Sequence, residues 1–84
     1  MRLSVRENLS SQKVDGELVI LDKDNGQIHQ LNSVASYIWL QIEAGSELNE
    51  ILERLISVYE IENSIAQADL ENVIQQFKDL ELLT

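Results

Sequence analysis

The stretch LVILDKDNGQIHQLNSVASYIWLQIEAG, Leu18 to Gly45, limits what this chain can become more than any other. Leu18-Val19-Ile20-Leu21 is an apolar run of strand formers bounded by turn signals, and it reads as a strand covered on both faces. Lys23-Asp24-Asn25-Gly26 is a turn, because Asn and Gly tolerate positive φ. Gln27 to Leu31 returns as a strand with fewer apolar residues, suited to a sheet edge. Asn32 or Ser33 then caps a helix. On that helix Leu31, Val34, Ala35, Ile38 and Ile42 recur at helical spacing, with Trp39 on the flank, and Gly45 closes it. A hairpin is thus joined directly to a helix, with no room for a linker.

The rest of the chain extends this plan. Met1 to Ser11 is polar and weakly patterned, so residues 1–8 are expected to be a flexible start, and a first strand enters near Leu9 to Val14. Asp15-Gly16 is a tight turn between that strand and the next. Ser46 is placed to cap a second helix whose apolar face is Leu48, Ile51, Leu52, Leu55, Ile56 and Tyr59, with Glu47 and Glu50 favourably placed in its first turn. Ser64-Ile65-Ala66-Gln67 fits a capping box for a third helix with Ala66, Leu70, Val73, Phe77 and Leu80 on one face. Leu82 and Leu83 should fold back on the sheet or the first helix. Strands followed by three amphipathic helices make an α+β domain of winged helix-turn-helix type: a three-stranded antiparallel sheet covered by helices. Residues 1–84 read as one domain.

Charge and composition narrow the function. The chain has 84 residues, a net charge of −9 and no cysteine. From Ser33 onward only Arg54 and Lys78 are basic, against ten acidic residues. Such a surface repels phosphate backbones and anionic membranes, which argues against nucleic-acid and membrane partners. A domain this small buries roughly 60% of its unfolded surface, so an active-site cleft would consume much of its core. Without cysteine there is neither a disulfide framework nor a thiolate metal site. No signal-peptide pattern opens the chain and no apolar run could span a bilayer, so a cytoplasmic location is expected.

Reactive clusters are missing as well. His29 is the only histidine, and Asp22 and Asp24 near it in sequence fall in what reads as a solvated turn. The serines Ser33, Ser36, Ser46 and Ser64 are explained as caps or helix-surface residues. There is no Gly-x-Ser-x-Gly elbow and no phosphate-cradling glycine loop. "DKDNG" resembles the start of a calcium loop but has Asn32 where the bidentate Glu would stand. Catalytic residues, metal ligands and cofactors are therefore expected to be none. Two other classes compete: a winged-helix DNA-binding regulator, which lacks its basic recognition helix here, and a small acidic carrier-type protein. For the carrier, Gly45-Ser46-Glu47-Leu48 is the nearest approach to an Asp-Ser-Leu motif.

The segments "LVILDKDNGQIHQLNSVASYIWLQIEAGSELNEILERLISVYEI" and "ADLENVIQQFKDLELL" together resemble the PqqD-like family, also called RiPP recognition elements. These are small proteins or domains that bind the leader peptides of ribosomally made, post-translationally modified peptides. The resemblance rests on Leu18–Asp22, Gly26, Leu31-Asn32, Ile38-Trp39, Gly45, Glu50-Ile51, Tyr59 and Ala68-Asp69-Leu70. The chain departs from the family habit at Ile28-His29, where aromatics are frequent, at Glu81, where many members carry Gly, and in having Lys78 almost alone as a base on its third helix.

The resemblance implies a non-catalytic peptide chaperone that adds a precursor's leader as a strand beside the third strand and against the third helix, then delivers it to an enzyme in trans. Gln27, Ile28, His29 and Gln30 would form the pairing strand, acting mainly through their backbones. On the third helix Val73, Phe77 and Leu80 would make an apolar floor and Asp69, Asn72 and Gln76 would share its side. Asp69 and Gln76 are expected as polar rim contacts, and Asp69 could attract a basic leader residue. The enzyme partner would be a radical S-adenosylmethionine enzyme, as in PQQ synthesis, or a leader peptidase, as in lasso-peptide maturation. The domain could be a monomer, or a dimer through its sheet edges.

Overall fold

The computed structural model describes residues 3–84. Strands β1 (Leu9–Val14), β2 (Glu17–Asp22) and β3 (Gln27–Gln30) form one antiparallel sheet in the order β1-β2-β3. Helices α1 (Ser33–Glu43), α2 (Leu48–Tyr59) and α3 (Asn63–Asp79) follow. The winged helix-turn-helix-like arrangement expected from the sequence is the one observed. Among the described residues no helix is long and apolar enough to cross a membrane.

The apolar run in β2 is covered on one face, not two. Leu18, Ile20 and Asp22 are buried, whereas Leu21 is 37% exposed. An unbroken apolar tetrad therefore behaves as an ordinary alternating strand, because the helices lie on one side of the sheet only. On that side Ile20, Ile38, Trp39, Ile51, Leu55, Phe77 and Leu82 are almost completely buried. The Trp39 and Phe77 rings meet edge to face at 5.3 Å and 87°, joining α1 to α3. Such a pair contributes about 0.5–1.5 kcal/mol beyond the area it buries. The buried stripe of α3 is Ala66, Leu70, Ile74 and Phe77. The expected stripe ran instead through Val73 and Leu80; Val73 is half-buried and Leu80 is exposed. Contacts from both α1 and α2 rotate the inward line toward Ile74.

Two buried polar side chains join the layers. Ser36, expected on a helix surface, is buried on α1. Its hydroxyl accepts from Leu18 N–H at 2.9 Å and donates to Leu31 C=O at 3.2 Å. Leu31 N–H still donates to Leu18 C=O at 2.9 Å. The hydroxyl thus stands where the second bond of that cross-strand pair would form, ending the ladder as the chain turns into α1.

Asp22, expected in a solvated turn, is also buried. Its carboxylate accepts from the backbone of Asp24 (3.1 Å) and Asn25 (3.2 Å), from the Asn25 amide (2.9 Å) and from Arg6 Nη2 (2.6 Å). Arg6 also bonds Asp24 Oδ2 at 2.8 Å and the Glu81 carbonyl at 2.7 Å. The segment expected as a flexible start, residues 1–8, makes contacts with the end of the chain from Ser4 on. Val5 bridges to Leu83, and Arg6 N–H donates to Leu82 C=O at 2.9 Å. Met1 and Arg2 lie outside the described residues.

Helix ends follow local rules with two corrections. Asn32 caps α1 by accepting from Ala35 N–H at 2.9 Å. α1 ends in a Schellman turn, with Gly45 at φ +83 and the N–H groups of Gly45 and Ser46 bonded back to Ile42 and Gln41. Ser46 is thereby committed to the end of α1, and Glu47 with Glu50 caps α2, Glu50 Oε1 accepting from Glu47 N–H at 2.9 Å. α3 begins at Asn63, with Glu62 rather than Ser64 at the N-cap. The end of α3 repeats the Schellman pattern: Glu81 N–H bonds Lys78 C=O and Leu82 N–H bonds Phe77 C=O. Here a glutamate, Glu81, takes the left-handed position at φ 58, a conformation that an L-residue adopts at a cost of about 1–2 kcal/mol.

Three stability outcomes are expected. Ser36→Ala leaves Leu18 N–H and Leu31 C=O buried without partners and should lower stability by about 1–3 kcal/mol in chemical denaturation. Glu81→Gly should raise it by about 0.5–1 kcal/mol, and Glu81→Val should lower it. The third concerns pH. The Asn25 amide, together with Arg6, holds the Asp22 carboxyl at about 2 against the upward push of burial. Its folded value lies below its unfolded one, so its contribution is present above about pH 4 and is lost as pH falls toward 2. The stability gap between the wild type and Asp22→Asn should close across that window in denaturant melts.

Candidate functional site

Among the described residues β3 has a neighbour on one side only. The Leu31 N–H bond to Leu18 C=O fixes the phase of the β2–β3 ladder. Two-residue alternation then makes His29–Ile20 and Gln27–Asp22 the hydrogen-bonded pairs. The N–H and C=O groups of Ile28 and Gln30 consequently point away from β2, to the open edge. The same alternation sends the Ile28 and Gln30 side chains to the uncovered face of the sheet, where Ile28 is 69% exposed beside Leu21. The side chains of Gln27, His29 and Leu31 face the helices.

Beside this edge runs a groove of about 300 Å³, lined by Ile28, His29, Gln30, Leu31, Asn32 and Ala35 on one wall and by Gln76, Phe77 and Leu80 of α3 on the other. Its lining carries no carboxylate, ammonium or guanidinium group, in a chain of net charge −9. Phe77 is its buried floor, held by the ring contact with Trp39. Leu80 stands at the rim, 42% exposed. A second depression of about 220 Å³ continues past Asn32, lined also by Val34, Asp69, Asn72 and Val73. Asn32 belongs to both, so the two form one track along α3.

The sequence-derived residues fall unevenly on this track. Ile28, His29, Gln30, Gln76, Phe77 and Leu80 meet in the first groove. Asp69, Asn72 and Val73 lie in the second. Gln27, opposite Asp22, lines neither. Leu31, Asn32, Val34 and Ala35 are not among the expected site residues. Their pattern places them in the cap and apolar face of α1; the signal that could find them is their position at the corner where strand gives way to helix. His29 Nε2 is shielded from solvent and has no hydrogen-bond partner among the described residues. Trp39 Nε1 shares that condition but does not line the groove. Among the described residues no cluster of His, Asp or Glu could hold a metal ion.

An open strand edge facing a helix wall can add a peptide strand: main-chain bonds hold it and the wall selects side chains. Two solved structures share this architecture. One, TbiB1 in complex with the TbiA(β) leader peptide, is 26% identical, superposes with a TM-score of 0.89, and covers 95% of this chain and 93% of its own. The other, a lasso peptide synthetase B1 complexed with the leader peptide, is 25% identical, has a TM-score of 0.91, and covers 100% of this chain and 99% of its own. Comparison with curated proteins gives no match. Residues 17–83, from the second strand to the end of the chain's last helix and beyond, match the family of coenzyme PQQ synthesis protein D, and the chain belongs to this PqqD family.

Proposed function

We propose that this protein captures the leader of a ribosomally made peptide precursor and presents it to an enzyme acting in trans, taking no part in the chemistry itself. The observation that carries this reading is the uncharged groove between the open edge of β3 and Phe77 of α3. The leader adds as a fourth strand, bonding the outward N–H and C=O groups of Ile28 and Gln30. Its inward side chains rest on Phe77 and Leu80, with Gln76 at the rim. Where the peptide continues along α3, Val73 offers apolar contact, Asn72 a neutral polar one, and Asp69 attracts a basic residue. Gln27 extends the pairing strand by one position. The resemblance to leader-bound lasso peptide synthetase B1 supports a leader peptidase as the partner. A radical S-adenosylmethionine enzyme is the alternative suggested by the family match. The acidic surface disfavours the DNA-binding reading.

The test is titration with the synthetic leader of the precursor encoded beside this chain, followed by calorimetry and amide NMR. Micromolar or tighter binding is expected, with shifts concentrated in residues 27–32 and 69–80. Ile28→Pro removes an outward donor while sparing the β2 ladder, so it should weaken binding at least tenfold with the fold retained. Binding that leaves the β3 and α3 amides unmoved, or no binding at all, would overturn the proposal.

A further inference from the structure

His29 is the residue of β3 whose side chain has unfinished hydrogen bonding. Strand alternation turns it toward α3, among Leu31, Gln76, Phe77 and Leu80 in the groove. Its Nε2 is closed off from solvent, and no described group bonds it. A nitrogen so placed is costly to leave unpaired, and buried polar atoms of this kind normally find a partner.

We propose, resting on the leader-capture reading above, that the partner of His29 Nε2 is the hydroxyl of a leader Ser, Thr or Tyr, and that His29 thereby selects which leader is held. The register supplies the placement. The outward N–H and C=O groups belong to Ile28 and Gln30, so an added strand makes its ladder bonds there, and one leader residue falls between them, opposite His29. In an antiparallel ladder that position is the close, non-hydrogen-bonded kind, with Cα atoms about 4.5 Å apart and both side chains on the same face. The leader side chain at this position therefore enters the groove beside the imidazole, whose ring has to turn on binding for Nε2, closed to solvent in the free protein, to meet it.

The surroundings narrow the chemistry. A neutral imidazole nitrogen is a donor or an acceptor according to tautomer, and a hydroxyl answers either. A carboxylate would lose its hydration against Leu31, Phe77 and Leu80 in a chain of net charge −9, and an ammonium group would lose its own in the same apolar setting. An aliphatic side chain would seal the nitrogen in without a partner. Gln76, on the opposite wall, reaches the same groove and leaves the nitrogen unbonded.

The experiment is a double-mutant cycle on the full chain with the same synthetic leader. His29→Phe keeps the ring and removes the hydrogen bond; each leader hydroxyl is removed in turn by Ser→Ala, Thr→Val or Tyr→Phe. Kd is read by calorimetry, and thermal melts verify that His29→Phe is folded. Expected is a loss of roughly tenfold on His29→Phe. One leader substitution should give a similar loss in the wild type and little further loss in His29→Phe. As a second readout independent of the variant, imidazole 15N NMR of the wild type should show His29 Nε2 moving on binding of the native leader and not of the hydroxyl-free one. Leader binding unchanged by His29→Phe with an unmoved Nε2 signal, or strictly additive losses, overturns this inference and leaves leader capture standing. Absence of binding by the wild type overturns leader capture, and this inference with it.

Discussion

The bond between Arg6 and the buried carboxylate of Asp22 is the constraint on which the site depends. The groove has two walls, the β3 edge and α3, that are far apart in sequence. At one end the walls are joined through the chain itself, where β3 passes through Asn32 into α1 and the track continues along α3. At the other end, α3 finishes and the β2–β3 turn begins, with no covalent link between them. Arg6 provides that link: it holds Asp22 and Asp24 of the turn and the Glu81 carbonyl just beyond α3. One guanidinium group, whose planar fork serves three acceptors at fixed angles in a way a lysine could not reproduce, thus ties the β2–β3 turn to the segment just beyond α3.

Ser36 plays the corresponding part where β3 turns into α1. By replacing one cross-strand bond with two bonds to its hydroxyl, it stops the ladder at Leu18 and Leu31 and couples the sheet to α1. Between these two polar fixtures the packing is apolar. Trp39 against Phe77 transfers the position of α1 to the groove floor. A shape-defined but uncharged groove needs this kind of support, because nothing in its lining would orient a ligand by charge alone.

Much of this was legible in the sequence wherever the determinant was local. The turns at Asp15-Gly16 and Asn25-Gly26, the cap at Asn32 and the glycine stop at Gly45 each depend on a few neighbouring residues, and each forms where its chemistry says. What was not legible depended on partners distant in sequence. Asp22 looked like a turn residue because Arg6 lies sixteen positions away. Ser36 looked like a surface residue because its two partners lie outside its own helix, Leu18 in β2 and Leu31 just past β3. Ser46 was a reasonable cap until the Schellman turn claimed it. The run from Leu18 to Leu21 could not reveal that one side of the sheet would stay open, since an apolar tetrad fits either case. In the site, β3 and the outer turns of α3 could be named from pattern and resemblance. The corner residues Asn32, Val34 and Ala35 could not, because helix periodicity assigned them elsewhere. Glu81 is a case in which a departure from the family habit became intelligible only with its backbone angle: the position calls for a left-handed residue, and here a glutamate bears the strain.

The shortness of β3 carries a consequence for how much a peptide can be asked to say. Only four residues form the strand, and only alternate positions of a chain laid beside it face the helices. The grammar of the proposed recognition is therefore sparse: about two side chains of an added strand would be inspected and those between them would pass unread. Two peptides that differ only at the outward positions would be synonyms to this surface. A precursor family could diversify widely between its inspected letters while still being addressed by the same short word.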